Sequence, residues 1–166
     1  APKILGGSAN YFSLAASLFS ANLRCVAVVG EDFPESHLDE LKKRKIDTSG
    51  IQRLSGKTFH WSGRYGSELH EAETVATHLN VFETFDPVLP ESYKNSDYLF
   101  LGNLSPVIQQ KVMKQVAHPK MIALDTMNFW ISGQRDALIE TIKKVNLVII
   151  NEGEARLLAK SHSIVE

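Results

Sequence analysis

The chain has 166 residues, of which 43% are apolar and 22% are charged, a composition typical of one globular domain with a real core. Its formal net charge of -1 gives a polyanion no electrostatic support, so we expect no nucleic-acid partner. No apolar run approaches the ~20 residues of a membrane-spanning helix, so we expect no membrane partner. The single cysteine, Cys25, lies in an apolar strand pattern and fits a reducing, cytoplasmic setting.

The start of the chain predicts a helix that follows a glycine pair. Gly6-Gly7 lets backbone approach a ligand closely, because glycine has no Cβ. Ser8 is a plausible helix cap. From Ala9 onward, apolar residues at i, i+3, i+4 and i+7 predict one buried helix face. These residues are Phe12, Ala15, Ala16 and Phe19.

A buried strand and a second helix are predicted next. Residues 24–29 form an apolar run that ends at Gly30. Asp32 can cap a helix, Pro34 suits its first turn, and the helix is predicted to run to about Lys45. The basic last turn complements the negative end of the helix, so we interpret it as solvated surface.

The pattern changes between residues 51 and 85, where apolar and polar residues alternate. Residues 58–65 and 74–85 predict antiparallel strands with one apolar face, and Gly66-Ser67 predicts the turn between them. Such strands cannot stand alone in water, so this face must cover a substrate cleft or the equivalent sheet of a partner chain. We therefore predict an α/β core of residues 1–50 and 86–166 with a β insertion of residues 51–85.

Short apolar strands that alternate with helices return in the second half of the chain. Strands are predicted over residues 98–101, 121–124 and 147–150. The strand over residues 147–150 is predicted to be fully buried. Helices are predicted from Pro106 and over residues 134–145. The element order favours an α/β fold with a parallel, Rossmann-like sheet flanked by helices.

Polar residues follow the carboxyl ends of four predicted strands. These segments are Gly30-Glu31-Asp32, Gly102-Asn103, residues 125–128 and residues 151–154. Ligands of open parallel sheets bind beyond these ends, so the pattern predicts a cleft along one rim. Two interpretations of the last segment remain open. Its carboxylate and amide can hold hydrated Mg²⁺ and phosphate, or Asn151 can cap the following helix while the glutamates favour its positive end.

Several common sites are not supported by the sequence. The glycine fingerprint of dinucleotide-binding oxidoreductases and the Walker-type phosphate loop are both missing from these 166 residues. The six histidines show no paired metal-ligand spacing. His60 and His78 could meet across the insertion, although exposed strand histidines explain them as well. Cys25 has no adjacent base, which disfavours a thiol nucleophile.

Three motifs in order resemble those of the ribokinase-like (PfkB) sugar and nucleoside kinases. They are Gly6-Gly7 before a helix, Val29-Gly30-Glu31-Asp32, and Asn151-Glu152-Gly153-Glu154. The stretch from Ile46 to Ile51 also resembles the K-x-I-D-x-x-G-I segment of that family. The resemblance covers essentially the whole chain, as the N-terminal portion of such a kinase. It implies a ribokinase-like fold, ATP and Mg²⁺ as cofactors, and phosphorylation of a hydroxyl of a sugar or nucleoside.

The resemblance also implies the site residues. In the glycine motif, Tyr11 stands where the family has asparagine, and Asn10 directly precedes it. The insertion resembles the lid of the family, which closes over substrate and often forms a homodimer contact. Phe59 or Trp61 would close over the substrate, although plain sheet packing explains them equally well. The candidate substrate-binding residues are Gly6, Gly7, Asn10, Tyr11, Phe59, Trp61 and Asn128, and the candidate Mg²⁺ and phosphate residues are Asn151 and Glu154.

The resemblance places other parts of the family site outside this sequence. The first strand with its substrate-binding aspartate, the G-A-G-D motif with the catalytic base, and the ATP pocket have no match here. We therefore expect an incomplete ribokinase-like fold with no catalytic residue, and no kinase activity from this chain alone. The alternative is a non-catalytic α/β binding or dimerisation module.

Overall fold

The computed structural model describes residues 4–20, 22–65 and 72–161, without the side chains of Tyr65 and Ala72. The regular elements are α1 (Ser8–Ala16), β1 (Leu23–Gly30), α2 (Glu35–Lys43), β2 (Ile46–Leu54), β3 (His60–Tyr65), β4 (Ala72–His78), β5 (Tyr98–Leu101), α3 (Pro106–Met113), β6 (Met121–Asp125), α4 (Asn128–Gly133), α5 (Arg135–Ile142), β7 (Leu147–Ile149) and α6 (Glu152–Ala159). Two 3₁₀ segments, Asn80–Thr84 and Glu91–Tyr93, lie between β4 and β5. None of the helices in these ranges has the length and apolar character needed to cross a bilayer.

The chain divides into two compact units, and the division falls within α1. One unit, called here the β5–β7 unit, comprises Ala1–Phe12 and Pro87–Glu166. The other, the β1–β4 unit, comprises Ser13–Asp86. The predicted fold class is confirmed, because parallel strands alternate with helices and an antiparallel strand pair accompanies them.

The β5–β7 unit is built on a three-stranded parallel sheet in the order β5-β6-β7. The central strand β6 has buried apolar side chains on both faces, as expected for a parallel strand covered by helices. Leu124, Ile131 and Leu138 are among the largest fully buried side chains of the β5–β7 unit. Apolar burial from β6, α4 and α5 therefore forms the centre of this unit.

The predicted full burial of the last strand is wrong. β7 pairs with β6 as the third strand of the sheet, and Leu147 and Ile149 are 44% and 51% exposed. The intervening Val148 and the following Ile150 are partly buried. Among the described residues, β7 has a neighbouring strand, β6, on one edge only. Its apolar side chains are therefore less buried than those of β6.

The β1–β4 unit contains a parallel pair, β1-β2, and an antiparallel pair, β3-β4. Cys25, Val28 and Ile46 are buried in it. β2 extends to Leu54, beyond the predicted start of the insertion, because its last residues pair with the end of β1. β1 belongs to a sheet separate from β5–β7, so three of the four predicted strand ends share one sheet edge.

The antiparallel pair β3-β4 confirms the alternating pattern, but the strand predicted to continue to Phe85 is wrong beyond His78. Asn80 has a positive φ of 53° and begins a 3₁₀ segment that buries Val81. The side-chain amide of Asn80 donates to the carbonyl of Thr58 at 2.9 Å, which stabilises this reversal. The predicted turn at Gly66-Ser67 lies outside the described residues.

The predicted apolar face of the first helix is also wrong. α1 ends at Ala16, Phe12 is 42% exposed and Phe19 beyond the helix is 91% exposed. Ser13 is the buried residue of α1. Phe12 nevertheless stacks on Phe100 of β5, with ring centroids 3.9 Å apart.

Two other helix boundaries differ from the prediction. α2 ends at Lys43, and Lys45 has a positive φ of 60° that no helix continues through. The helix predicted over residues 134–145 is α5, which ends at Ile142, and the short α4 precedes it. Gln134 separates α4 from α5 with a non-helical φ of -137°.

Candidate functional site

The carboxyl ends of β5, β6 and β7 lie at the same edge of their parallel sheet. Gly102-Asn103 follows β5, Asp125 ends β6 and Thr126 follows it, and Asn151 follows β7. The structure therefore brings together three of the polar segments predicted from the sequence. We call these segments the rim of the β5–β7 unit.

The start of α1 is attached to this rim at the end of β5. The Oγ of Ser8 accepts a hydrogen bond from the backbone N–H of Asn103 at 2.8 Å. A Cβ on Gly102 would lie 2.7 Å from that Oγ, so glycine is needed for the approach. Gly7 has a φ of +92°, a conformation that also favours glycine. The glycine pair is thereby held beside the rim.

Two further side chains bond the rim. The indole N–H of Trp130 in α4 donates to Oδ1 of Asn103 at 3.0 Å. The side-chain amide of the buried Gln109 in α3 donates to the carbonyls of Gly102 and Asp125, at 2.9 and 3.0 Å. The rim contacts of Ser8, Trp130 and Gln109 were not predicted from the sequence. For Gln109 a signal existed, since a polar residue three positions from both Pro106 and Val112 lies on the buried face of α3.

Asp125 and Glu154 form an acidic pair at the rim. Partial burial raises the pKa of Asp125, and the nearby charge of Glu154 raises it further, to about 6, against a smaller lowering by the hydrogen bond from the Thr126 backbone. The charged form of Asp125 is therefore less favourable than that of an exposed carboxyl group, and the group keeps its proton up to a higher pH. A cation placed between the two carboxylates would reverse that effect.

Asn151 and Glu154 form a capping box at the start of α6. Oδ1 of Asn151 accepts from the N–H of Glu154 at 2.8 Å, and Oε2 of Glu154 accepts from the N–H of Asn151 at 3.0 Å. The capping interpretation of this segment is therefore confirmed. Among the described residues, the other carboxylate oxygen of Glu154 and the amide N–H groups of Asn151 have no hydrogen-bond partner.

The other predicted substrate residues of this unit lie at or near the start of a helix. Gly6 and Gly7 are exposed before α1, and Asn128 is the exposed first residue of α4. Tyr11 is 59% exposed and its hydroxyl donates to the carbonyl of Leu5 at 3.3 Å. Oδ1 of Asn10 is buried without a hydrogen-bond partner in the described part of the chain. Buried polar atoms usually have a hydrogen-bond partner, so this oxygen is available to accept a hydrogen bond from a ligand or another group.

In the β1–β4 unit, Asp32 organises the loop after β1. Its Oδ1 accepts from both the backbone N–H and the hydroxyl of Thr58, each at 2.7 Å. The same Thr58 oxygen accepts from the N–H of Gly30 at 2.9 Å. A Cβ on Gly30 would overlap the carbonyl oxygen of Gly56, so this glycine is required. Asp32 is therefore a loop anchor and not the predicted cap of α2, which begins after Pro34.

Arg53 of β2 also forms hydrogen bonds to the loop after β1. Its Nη1 donates to the carbonyls of Gly30 and Phe33, at 3.1 and 3.0 Å. Its Nη2 pairs with Oε2 of Glu35 at 2.9 Å. The planar, forked guanidinium suits this set of three acceptors.

The aromatic residues proposed to close over substrate have partners inside their own unit. Phe59 packs edge-on against Phe82, with ring centroids 5.0 Å apart. The indole N–H of Trp61 donates to the hydroxyl of Thr74 at 3.2 Å, and its ring lies over Gly63. These contacts are the sheet packing that the sequence analysis held as the alternative, and the substrate contact stays a prediction. His60 and His78 do face each other across the strand pair, with ring centroids 6.0 Å apart.

A family model described as pfkB family carbohydrate kinase matches residues 3–166. The chain belongs to this family. The predicted resemblance is therefore confirmed over nearly the whole sequence.

Proteins similar to this pfkB family chain include a named cytidine kinase and kinases of solved structure. A cytidine kinase of Thermococcus kodakarensis is 28% identical over 165 residues, which cover 96% of this chain and 57% of that protein. A nucleoside kinase of Burkholderia thailandensis, solved with inosine, has a TM-score of 0.76 at 14% identity, over 96% of this chain and 54% of that one. An uncharacterised sugar kinase of Pyrococcus horikoshii, solved with ATP, has a TM-score of 0.65 at 19% identity, over 93% and 56%. The chain thus spans little more than half the length of these relatives.

Proposed function

We propose that this chain is the N-terminal portion of an ATP-dependent kinase that phosphorylates a hydroxyl group of a sugar or nucleoside. The observation that carries the proposal is the rim, where a glycine pair before α1 and the acidic pair Asp125 and Glu154 meet at one sheet edge in a pfkB family chain. The names of the relatives, a cytidine kinase and an inosine-binding nucleoside kinase, support a nucleoside as one substrate class.

The substrate side of the proposed site is the start of α1. Gly6 and Gly7 would admit the substrate close to backbone, with Asn10 and Tyr11 on the first turns of the helix. Asn128 would contribute from the start of α4. Phe59, just before β3, and Trp61 in β3 are the proposed substrate contacts of the β1–β4 unit. A homodimer through the antiparallel pair β3-β4 is also proposed, with the exposed Val75 of β4 as one apolar contact.

The donor atoms at the rim fit Mg²⁺. Hard oxygen ligands suit this ion. The pKa of Asp125 is raised mainly by burial and further by the charge of Glu154, and a bound cation would offset that second effect. No cluster of three or more acidic, histidine or cysteine ligands exists in the described part of the chain. Mg²⁺ usually takes one or two carboxylates and completes its shell with water and phosphate, so the pair suffices. Glu154, and indirectly Asn151, would organise the ion and the phosphates of ATP, which supplies the phosphoryl group.

The catalytic base and the ATP pocket are proposed to come from outside these residues. We therefore expect the 166-residue chain alone to lack kinase activity. Catalysis in the whole protein would depend on positioning and charge stabilisation at the phosphoryl group. The cytoplasm, where ATP is abundant and the lone cysteine stays reduced, is the proposed location.

The deciding experiment compares two glutamates of the same helix turn in the full-length protein. The protein is assayed with ATP, Mg²⁺ and a panel that includes cytidine, inosine and ribose. Glu154→Gln is expected to lower kcat at least about tenfold and to raise the Mg²⁺ concentration needed for half-maximal rate. Glu152→Gln is the matched control, because Glu152 pairs with Arg156 on the surface, and its rate should stay within about twofold.

The outcomes separate the two functional classes. Equal rates for both variants would remove the acidic pair from the proposed site. No phosphorylated product from any member of the panel, together with a stable dimer of the 166-residue chain, would favour the non-catalytic module.

A further inference from the structure

Gln109 bonds two strand ends at the point where their ladder stops. The pairing of β5 with β6 ends at Leu101 and Leu124. The next two carbonyls, those of Gly102 and Asp125, both accept from the single side-chain amide nitrogen of Gln109, at 2.9 and 3.0 Å. Gln109 is only 1% exposed, so no water competes for these bonds from bulk solvent. The side-chain amide of Gln109 therefore satisfies both strand ends at the point where backbone pairing between β5 and β6 has stopped.

These two strand ends carry different halves of the rim. Gly102 leads into Asn103, which bonds Ser8 at the start of α1 and Trp130 in α4. Asp125 carries one carboxyl group of the acidic pair. The hydrogen bonds of Gln109 therefore join the strand end that holds the glycine pair to the strand end that carries Asp125. They thereby set the distance between the glycine pair and the acidic pair.

We propose that Gln109 is a positioning residue that fixes the spacing between the start of α1 and the acidic pair. The proposal rests on the proposed function, which assigns substrate to the first group and Mg²⁺ and phosphate to the second. Gln109 contacts neither ligand and acts through the backbone. Without its amide, the two partly buried carbonyls of Gly102 and Asp125 lose their donor and must turn toward water, which separates the strand ends.

The helix that carries Gln109 is itself well anchored. α3 begins at Pro106 after Ser105, whose hydroxyl donates to the side chain of Gln134 at 2.8 Å. The neighbouring Gln110 donates from its Nε2 to the carbonyl of Ala137 and to the hydroxyl of Thr141, at 3.1 and 2.9 Å. Gln110 is a matched control, since it makes the same number of hydrogen bonds from the same helix but contacts α5 and not the rim.

The two tryptophans of the chain provide the test. The indole N–H of Trp130 bonds Asn103, one residue from the Gly102 carbonyl, whereas that of Trp61 bonds Thr74 in the other unit. In ¹⁵N-labelled chain, with Trp130→Phe used to assign the two indole signals, Gln109→Met is expected to move the Trp130 signal and to speed its hydrogen exchange about tenfold. The Trp61 signal should stay in place, and Gln110→Met should leave both signals unchanged.

Two results would overturn the proposal. One is an unmoved Trp130 signal in folded Gln109→Met chain, and the other is an equal effect of Gln110→Met. If Gln109→Met does not fold, Gln109→Asn keeps an amide that is one methylene too short for both carbonyls and should give the same change. If neither Gln109 variant folds while Gln110→Met does, Gln109 is a core residue and the positioning role is rejected.

A kinetic measurement links the spacing to the reaction. In the full-length protein, Gln109→Met is expected to lower kcat/KM about tenfold, while Gln110→Met stays within about twofold of the unmodified protein. The spectroscopic test needs no activity. An inactive full-length protein with the expected Trp130 response would therefore reject the kinase proposal and keep the role of Gln109, whereas the reverse pattern would reject only the role of Gln109.

Discussion

Asn151 and Glu154 each accept a hydrogen bond from the backbone N–H of the other, at 2.8 and 3.0 Å. The motif that resembles a family Mg²⁺ and phosphate site is thus also the cap of α6. The two interpretations are compatible, because the cap uses one oxygen of each side chain. The cap holds the Glu154 side chain close to its own backbone, where its charge acts on Asp125.

Removal of the cap should destabilise the chain measurably. We expect Asn151→Ala to lower the free energy of unfolding by about 1 kcal/mol, because the N–H of Glu154 loses its acceptor. Asn151→Ser retains a capping oxygen and should cost only a few tenths of a kcal/mol, by order of magnitude. Urea denaturation followed by circular dichroism measures both. Equal losses for alanine and serine would contradict a capping role.

The stability of the chain should depend on pH through Asp125. The pKa of Asp125 is about 6 in the folded state against its usual value of 3.8, so the folded state binds more protons between these pH values. The stabilisation from this group is present below pH 3.8 and is lost as the pH rises through about 6. Relative to Asp125→Asn, the unmodified chain should lose about 1 kcal/mol between pH 4 and 7.5, a figure reduced for partial exposure.

A second variant tests the causes of this pH dependence. Glu154→Gln removes the nearby negative charge but leaves the capping oxygen. Because burial is the larger cause of the raised pKa, the pH-dependent loss should shrink without vanishing. The two variants and the unmodified chain are compared by denaturation at several pH values. A pH dependence that persists in full in Asp125→Asn would assign it to another group.

A side chain at Gly102 should force α1 away from the rim. Gly102→Ala places Cβ 2.7 Å from Oγ of Ser8, and we expect a loss of about 2 kcal/mol. Ser8→Ala removes that oxygen, so the double variant should be more stable than the sum of the two single losses predicts. Gly133→Ala is the control, because its Cβ would meet no atom within 4 Å. Strict additivity in the double-mutant cycle would rule out the close approach.

The loop after β1 should require the acceptor oxygen of Asp32 more than its charge. Asp32→Ala leaves the N–H and hydroxyl of Thr58 without this acceptor, and we expect a loss of about 1–2 kcal/mol. Asp32→Asn keeps an acceptor oxygen in the same place and should cost less than half of that. Thermal denaturation of the three chains tests the difference. If asparagine is as damaging as alanine, the charge and not the hydrogen bonding of Asp32 matters.

Local patterns predicted the strands and the alternation of strands with helices, because apolar burial in a parallel sheet leaves a strong signal in the sequence. They failed where a single residue reverses the chain. Asn80 and Lys45 end their elements with positive φ values, and Gln134 separates two helices with an extended φ. Asparagine tolerates such conformations, but nothing in the local pattern shows that it adopts one here.

The rim was predicted in part, since three strand ends carry polar residues that parallel pairing brings to one edge. Its long-range bonds could not be predicted. Ser8 and Asn103 are 95 positions apart, and the bond between them depends on the packing of α1 against the end of β5. The burial of Gln109 was visible from the spacing of α3, but its two carbonyl partners became apparent only with the strand ends in place.

Arg53 has a practical consequence for protein engineering. The shape of the segment from Gly30 to Glu35 is held by a guanidinium on the neighbouring strand and by Thr58 further along the chain. If the Val-Gly-Glu-Asp stretch alone were grafted into another scaffold, the carbonyls of Gly30 and Phe33 would lose their Arg53 donor. The Asp32 carboxylate would lose its Thr58 donors. A transplanted loop would have to bring Arg53 and Thr58 with it.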